Sequence, residues 1–284
     1  MIRLAITLGD PAGIGPEVVD LALQNLPKNV APPRILGRRG TPGRSTSDGA
    51  QNSWDALEEA VALAQSGEVD AVVTGPVSKN QLHQVGFPFP GQTEFFAARS
   101  FTSNFAMCLT GGGLTVALVT AHVPLREVRI STSEIVRVAL LLRDHLRQRG
   151  ILHPRIAVAG LNPHAGENGD LGREEIEHIF PALTLLQGEA DATFAGPFPP
   201  DTIFYQAAIQ KKWDGVVCMY HDQGLIPLKL HAFDEGVNVT LGLPFVRTSP
   251  DHGTAFDIAG KGQASPRSME AAIFLAAALA AQGG

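Results

Sequence analysis

Short apolar runs recur along the chain at residues 4–8, 69–74, 105–109, 114–120, 155–161, 215–220 and 237–241. Each is too short for a helix, is bounded by turn residues, and reads as a buried strand. Between several of them the apolar positions fall at helical spacing instead. The clearest case is 131–149, where Ser131 and Glu134 have the spacing of a capping box and Ile135, Val138, Leu141 and Leu142 form one stripe. Residues 174–186 and 269–281 carry the same period, and Pro181 predicts a kink or a helix end in the first of these. Strands alternating with helices predict an α/β fold on a mostly parallel sheet. Residues 27–49 break the pattern: Pro, Arg, Gly and Ser dominate, and an irregular surface segment is expected. A break between two lobes is expected near 86–91, where Pro88 and Pro90 flank a turn.

Three of the strands end alike. LTVALVTA runs into His122, RIAVAGLNP into His164 and GVVCMY into His221. In a parallel α/β sheet, side chains just past the carboxyl ends of strands line the ligand crevice. Imidazoles suit zinc or a similar divalent ion, and three of them leave coordination positions open for substrate oxygens. Any one of these histidines is equally explained as an ordinary loop residue; the repetition predicts a single catalytic metal site.

The chain has 284 residues, enough to bury a large core, and a net charge of −6. Its arginines are scattered, with no basic stripe or interleaved aromatics, which argues against nucleic acid as a partner. Cys108 and Cys218 lie in strand-like contexts without CxxC spacing and read as buried thiols. The N-terminus, MIRLAITLGDP, enters a strand at once, and the Ala-rich C-terminal run ending in Gly-Gly fits a packed helix and is too short for a bilayer. A cytoplasmic protein without membrane contact is the expectation.

Other polar motifs also sit at strand ends. GDPAGIGPE (9–17) resembles a phosphate cradle but lacks the P-loop Lys-Ser/Thr, and Val18 stands where a third glycine would be needed; a structural turn with Pro16 in the first helical turn explains it. GPVSK places Lys79 after another strand. In GQTEFF, Thr93 is a candidate helix cap beside N–H groups that would also attract an anion. Asp222, Gln223, Lys229, Asn238 and Arg247 follow His221 in a stretch otherwise rich in Gly, Leu and Pro, a set suited to a phosphorylated or carboxylated substrate.

The run SPDHGTAFDIAGKG (249–262) is similar to the loop with which isopropylmalate and isocitrate dehydrogenases bind the adenosine part of NAD(P) without a GxGxxG fingerprint. With GDPAGIGPE, TGPVSK, GQTEFF, TAHVPL, GLNPHAGENGDLG, GPFPPDT and YHDQGLIPLK, the chain resembles the 4-hydroxythreonine-4-phosphate dehydrogenase family of vitamin B6 biosynthesis over nearly its whole length apart from 27–49. The resemblance implies an isopropylmalate-dehydrogenase-like fold of two intimately joined lobes with a cleft between them. Residues 1–88 with about 240–284 would form the NAD side, and about 89–239 the metal, substrate and dimerisation side. It implies His122, His164 and His221 as ligands of one divalent ion (zinc, magnesium or cobalt), with the metal pocket shared between the subunits of a homodimer. Substrate contacts fall on Gln92, Thr93, Lys229, Asn238 and Arg247. NAD or NADP would lie on His252, Gly253, Thr254, Ala255 and Asp257, and Asp201 and Asp222 are candidates for the group that takes the hydroxyl proton.

Two departures stand out against the family pattern. Gln92 occupies the position of a substrate-contacting histidine, and glutamine does not titrate near neutral pH. The segment 27–49 replaces roughly a further strand and helix, so an edge element of the sheet is expected to be missing. The implied reaction is NAD(P)-dependent oxidation and decarboxylation of 4-phosphooxy-L-threonine to 3-amino-2-oxopropyl phosphate. The alternatives are a paralogue acting on a 4-phospho-threonate, a 4-phospho-erythronate or a dihydrodiol, and an inactive metal- or nucleotide-binding homologue.

Overall fold

The computed structural model describes residues 1–282; Gly283 and Gly284, the end of the C-terminal run, lie outside the described residues. The strands are β1 (Leu4–Thr7), β2 (Arg34–Leu36), β3 (Ala71–Thr74), β4 (Ala106–Gly111), β5 (Leu114–Leu118), β6 (Arg155–Ala159), β7 (Thr193–Phe198), β8 (Gly215–Cys218), β9 (Val237–Leu241) and β10 (Val246–Pro250). The α-helices are α1 (Gly15–Ala22), α2 (Ser47–Gln65), α3 (Lys79–Gln84), α4 (Gln92–Arg99), α5 (Thr132–Gln148), α6 (Phe180–Leu186), α7 (Pro200–Ala208), α8 (His221–Ala232) and α9 (Arg267–Ala280).

The chain divides into two units, residues 1–103 with 237–284 and residues 104–236. The first carries strands in the order β2-β1-β3-β10-β9, all parallel except β9. Every residue of β1 and β3 is buried, which is why their sequences are apolar up to the closing Thr7 and Thr74, whose hydroxyls accept hydrogen bonds. The break expected near 86–91 falls instead after Ser103, because Phe87, Phe89, Phe95 and Phe96 stack in one aromatic cluster that holds α4 in the first unit.

The segment 27–49 is also more regular than its composition predicts. Arg34, Ile35 and Leu36 pair with Ala5, Ile6 and Thr7 and make a three-residue edge strand, β2. The long helix α2 begins at Ser47, with Thr46 Oγ1 accepting from Gly49 N at 3.0 Å. The helix after Gly91 is capped by Gly91 itself, not by Thr93, which is buried inside the first turn.

In the second unit β4 and β5 form an antiparallel hairpin turned by Gly112 and Gly113, both at positive φ, and the parallel strands β8, β6 and β7 follow in that order. Ser131 caps α5 through Glu134 N, but Glu134 turns to Arg137 and leaves the capping box half made. A π-helical turn, Glu175–Ile179, precedes α6, and Pro181 sits in the first turn of α6. Cys108 and Cys218 are buried thiols. Burial pushes both up, the Cys108 thiol to about 12. Among the described residues, no helix is long and apolar enough to cross a membrane.

Candidate active site

In the second unit β5, β8 and β6 are adjacent and parallel, pairing Ala117 with Val217 and Val158 with Val217. The segments bearing His122, His221 and His164 therefore leave the same edge of the sheet from three neighbouring strands. Side by side, strands stand about 5 Å apart. The rings of His122 and His221 have centroids 5.8 Å apart. Two imidazoles on one tetrahedral zinc would place their centroids roughly 5 Å apart, close to the separation of this pair. His164 does not complete a trio within the chain: among the described residues, no three His, Cys, Asp or Glu side chains converge to hold a metal.

His221 starts α8 and its Nδ1 lies 2.7 Å from Asp222 Oδ1. A carboxylate oxygen only accepts, so Nδ1 donates and Nε2 is left as the ligand nitrogen, the usual arrangement behind a metal-bound histidine. Asp222 thus orients His221. Gln223 fixes the same corner, accepting from Met219 N and donating to Gly160 O, both at 2.7 Å.

His164 stands in a turn, Pro163–Gly169, whose residues His164, Ala165, Gly166, Glu167 and Asn168 all have positive φ, between 41° and 81°. Successive left-handed residues are rare, at roughly 1–2 kcal/mol for each one bearing a Cβ. Nothing in the sequence signalled this turn.

In the first unit Arg247 on β10 is 2% exposed. Its Nη1 donates to Thr240 Oγ1 at 3.2 Å, its Nη2 donates to Thr74 Oγ1 at 2.5 Å and Gln92 Oε1 at 3.0 Å, and the guanidinium lies 5.4 Å from the Phe96 ring centre. Burial pushes Arg247 down to about 10, partly offset by Glu94. Arg247 Nε and, on β9, Asn238 Oδ1 are buried without a hydrogen-bond partner. The antiparallel register pairs Ser249 with Asn238, putting Asn238 and Arg247 on one face of the sheet. One unsatisfied donor and one unsatisfied acceptor on one face are what a polar ligand would satisfy. Thr93 is buried in the first turn of α4.

The 252–257 loop belongs to the same unit and is braced by the glycine-rich turn near the N-terminus. Ile14 N donates to Thr254 O at 2.8 Å, a Cβ on Gly13 would meet that same oxygen at 2.8 Å, and Gly260 N donates to Glu17 Oε2 at 3.0 Å. The turn is structural, and what it supports is this loop. Ala255 has φ 41°, while Gly253 and Asp257 are exposed and His252 and Thr254 half-buried. Space around the Gly253 Cα is open, with nothing within 4 Å of a Cβ built there. The loop's form thus suits close approach of a flat ligand to the backbone.

Lys229 lies on α8 of the second unit, its Nζ 5.9 Å from the Phe233 ring centre. Asp201 is exposed in the first turn of α7 and lines a surface cleft with Tyr205 and Gln206.

The chain matches the family described as "Pyridoxal phosphate biosynthetic protein PdxA" over residues 16–276. It is 42% identical to the 4-hydroxythreonine-4-phosphate dehydrogenases of Desulfosudis oleivorans, with 96% of this chain and 94% of that protein covered, and of Zymomonas mobilis, with 98% and 95% covered. The first alignment spans 323 positions, more than this chain's 284 residues, so that relative carries residues this chain lacks. Among solved structures it is similar to the 4-hydroxythreonine-4-phosphate dehydrogenase of Klebsiella pneumoniae, at TM-score 0.85 and 37% identity over 99% of this chain and 100% of that one. A terephthalate 1,2-cis-dihydrodiol dehydrogenase from Burkholderia xenovorans aligns at TM-score 0.70 and 28% identity, with 98% of each chain covered. An isocitrate dehydrogenase from Methylococcus capsulatus, at TM-score 0.59 and 17% identity over 100% of this chain and 86% of that one, shares the fold. The chain therefore belongs to the PdxA family of pyridoxal phosphate biosynthetic proteins.

Proposed function

We propose that this chain is an NAD(P)-dependent, divalent-metal-dependent dehydrogenase that converts 4-phosphooxy-L-threonine to 3-amino-2-oxopropyl phosphate in pyridoxal 5′-phosphate biosynthesis. Beyond family membership, the observation that carries it is the His122–His221 pair at the carboxyl edge of adjacent parallel strands. His122 and His221 of one copy, with a His164 supplied by the second copy, would hold one ion (zinc, magnesium or cobalt), which when bound would supply Lewis-acid polarisation of an oxygen substituent.

The reaction removes a hydride from the substrate carbon bearing the 3-hydroxyl, which passes to NAD(P)+, and a proton from that hydroxyl. The 2-amino-3-oxo acid then loses CO2. Arg247 offers its open Nε and Asn238 its open Oδ1 to substrate polar groups beside Gln92 and Thr93 of the same unit, and Lys229 would add a compact charge for the phosphate. Residues His252, Gly253, Thr254, Ala255 and Asp257 receive the adenosine end of the cofactor. Asp222 keeps His221 in one tautomer, and Asp201 and Asp222 are the candidate side chains for the hydroxyl proton.

Two copies of the chain would share the site. Ile226 and Leu230 on α8 and Phe233 just past its end are 64%, 89% and 74% exposed, and most exposed large apolar side chains among the described residues belong to the second unit. Such a stripe suits a second copy, and on the helix that begins with His221 it brings partner residues near the metal ligands. A soluble cytoplasmic homodimer follows from this reading.

Gln92 supports a second reading, a paralogue that acts on 4-phospho-threonate, 4-phospho-erythronate or a dihydrodiol. Following NADH formation on 4-phosphooxy-L-threonine beside those compounds separates the two. The proposal expects turnover of the first with added divalent metal and none in His221→Ala. Turnover only of the others would favour the paralogue, and none with any compound would overturn both.

A further inference from the structure

Glu175 is 1% exposed and lies at the head of the π-helical turn that follows the His164 segment. Its Oε1 accepts from Leu161 N and Asn162 N, both at 2.8 Å, and its Oε2 accepts from Asn162 Nδ2 at 3.0 Å. Among the described residues no lysine or arginine pairs with it; N–H groups alone meet its charge. A buried carboxylate is unfavourable unless its lone pairs are filled, so this one is committed to the two residues between β6 and Pro163.

The same carboxylate abuts the turn itself. A Cβ on Gly166, whose φ is +81°, would sit 2.6 Å from Glu175 Oε2, and one on Gly160 would meet Ala165 Cα at 2.9 Å and Glu175 Oε1 at 3.2 Å. Backbone bonds at the two ends of the turn are long: Ala165 N to Asn162 O at 3.1 Å, Asp170 N to Glu167 O at 3.2 Å and Leu171 N to Gly166 O at 3.2 Å. A run of left-handed residues persists only where its surroundings over-determine it.

We propose that Glu175 is a positioning residue for His164: its buried carboxylate clamps the exit of β6 and backs the left-handed turn, fixing where His164 is presented. Its consequence for metal binding rests on the functional reading above. The clamp itself does not.

The test compares the wild-type protein with Glu175→Ala, Glu175→Gln and Gly166→Ala, by amide hydrogen exchange over residues 161–171 and by titration with Co2+ read through its visible absorption. Glu175→Ala should exchange at least about tenfold faster over 161–169, with β1 and α9 unchanged. Glu175→Gln, which keeps an acceptor oxygen, should recover most of the protection, and Gly166→Ala, whose Cβ would press on Glu175 Oε2, should reproduce the local loosening. Co2+ affinity should fall by roughly 10–100-fold in Glu175→Ala, with a changed spectrum. Unchanged exchange over 161–169 in Glu175→Ala overturns the clamp, and so does acceleration spread evenly over the chain. If Glu175→Ala does not fold, Gly166→Ala decides, wild-type exchange there being the overturning result. Co2+ binding that His164→Ala leaves intact would overturn the metal reading instead, with the exchange data still deciding the clamp.

Discussion

Gln92 is held between two fixed partners: its Oε1 accepts from Arg247 Nη2 at 3.0 Å, and its Nε2 donates to Gly75 O at 3.1 Å. Arginine only donates and a carbonyl only accepts, so the amide has one orientation, and Gln92 keeps Arg247 in place at any pH. A histidine does both jobs only while neutral, when one ring nitrogen accepts and the other donates. In Gln92→His, protonation below about pH 6.5 would remove the acceptor and set a second cation beside Arg247. The KM of Gln92→His relative to wild type is expected to stay near one at pH 8 and to rise about tenfold by pH 5.5. A ratio independent of pH would refute this role.

His145, in α5, is 5% exposed, its Nε2 has no hydrogen-bond partner, and burial together with Arg149 pushes its imidazole down to about 3. The unfolded chain takes up this proton near pH 6.5, whereas the folded chain resists it until about pH 3. Stability is therefore lost as pH falls through that window. Urea unfolding of His145→Leu should show a gain over wild type that grows from pH 7 downward, by about 3 kcal/mol at pH 4. Parallel stability curves for the two proteins would contradict it.

Leu230→Asp places a charge at the most exposed position of the α8 stripe. Light scattering after size exclusion should show the wild type as a dimer and the variant as a monomer at micromolar concentration, with metal-dependent turnover lost and the fold intact by circular dichroism. A variant that remains dimeric and active would remove α8 from the interface.

Much of the scaffold was legible because fully buried parallel strands are mostly apolar, as in β1, β3 and β8. The elements that escaped detection violate that pattern for physical reasons. In β2 two of three residues are exposed, and its pairing with β1 alone makes it a strand. In β10 the buried residues include Arg247, Thr248 and Ser249, which no apolar pattern flags. In α2 the buried face is largely Ala, Gly and Ser, too weakly contrasted with its polar face to show a period.

The sequence by itself determined which strands end in imidazoles, which stretch carries the cations and which family the chain joins, since these depend on residue type and local order. Tertiary structure alone decided that β5, β8 and β6 stand side by side, that Gln92 engages Arg247, and that Glu175, at a position read from sequence only as part of an amphipathic helix, lies buried behind His164. Those relations join residues remote in sequence, such as Gln92 with Arg247. They are set by strand order and by the need to satisfy buried polar groups, neither of which a local pattern encodes.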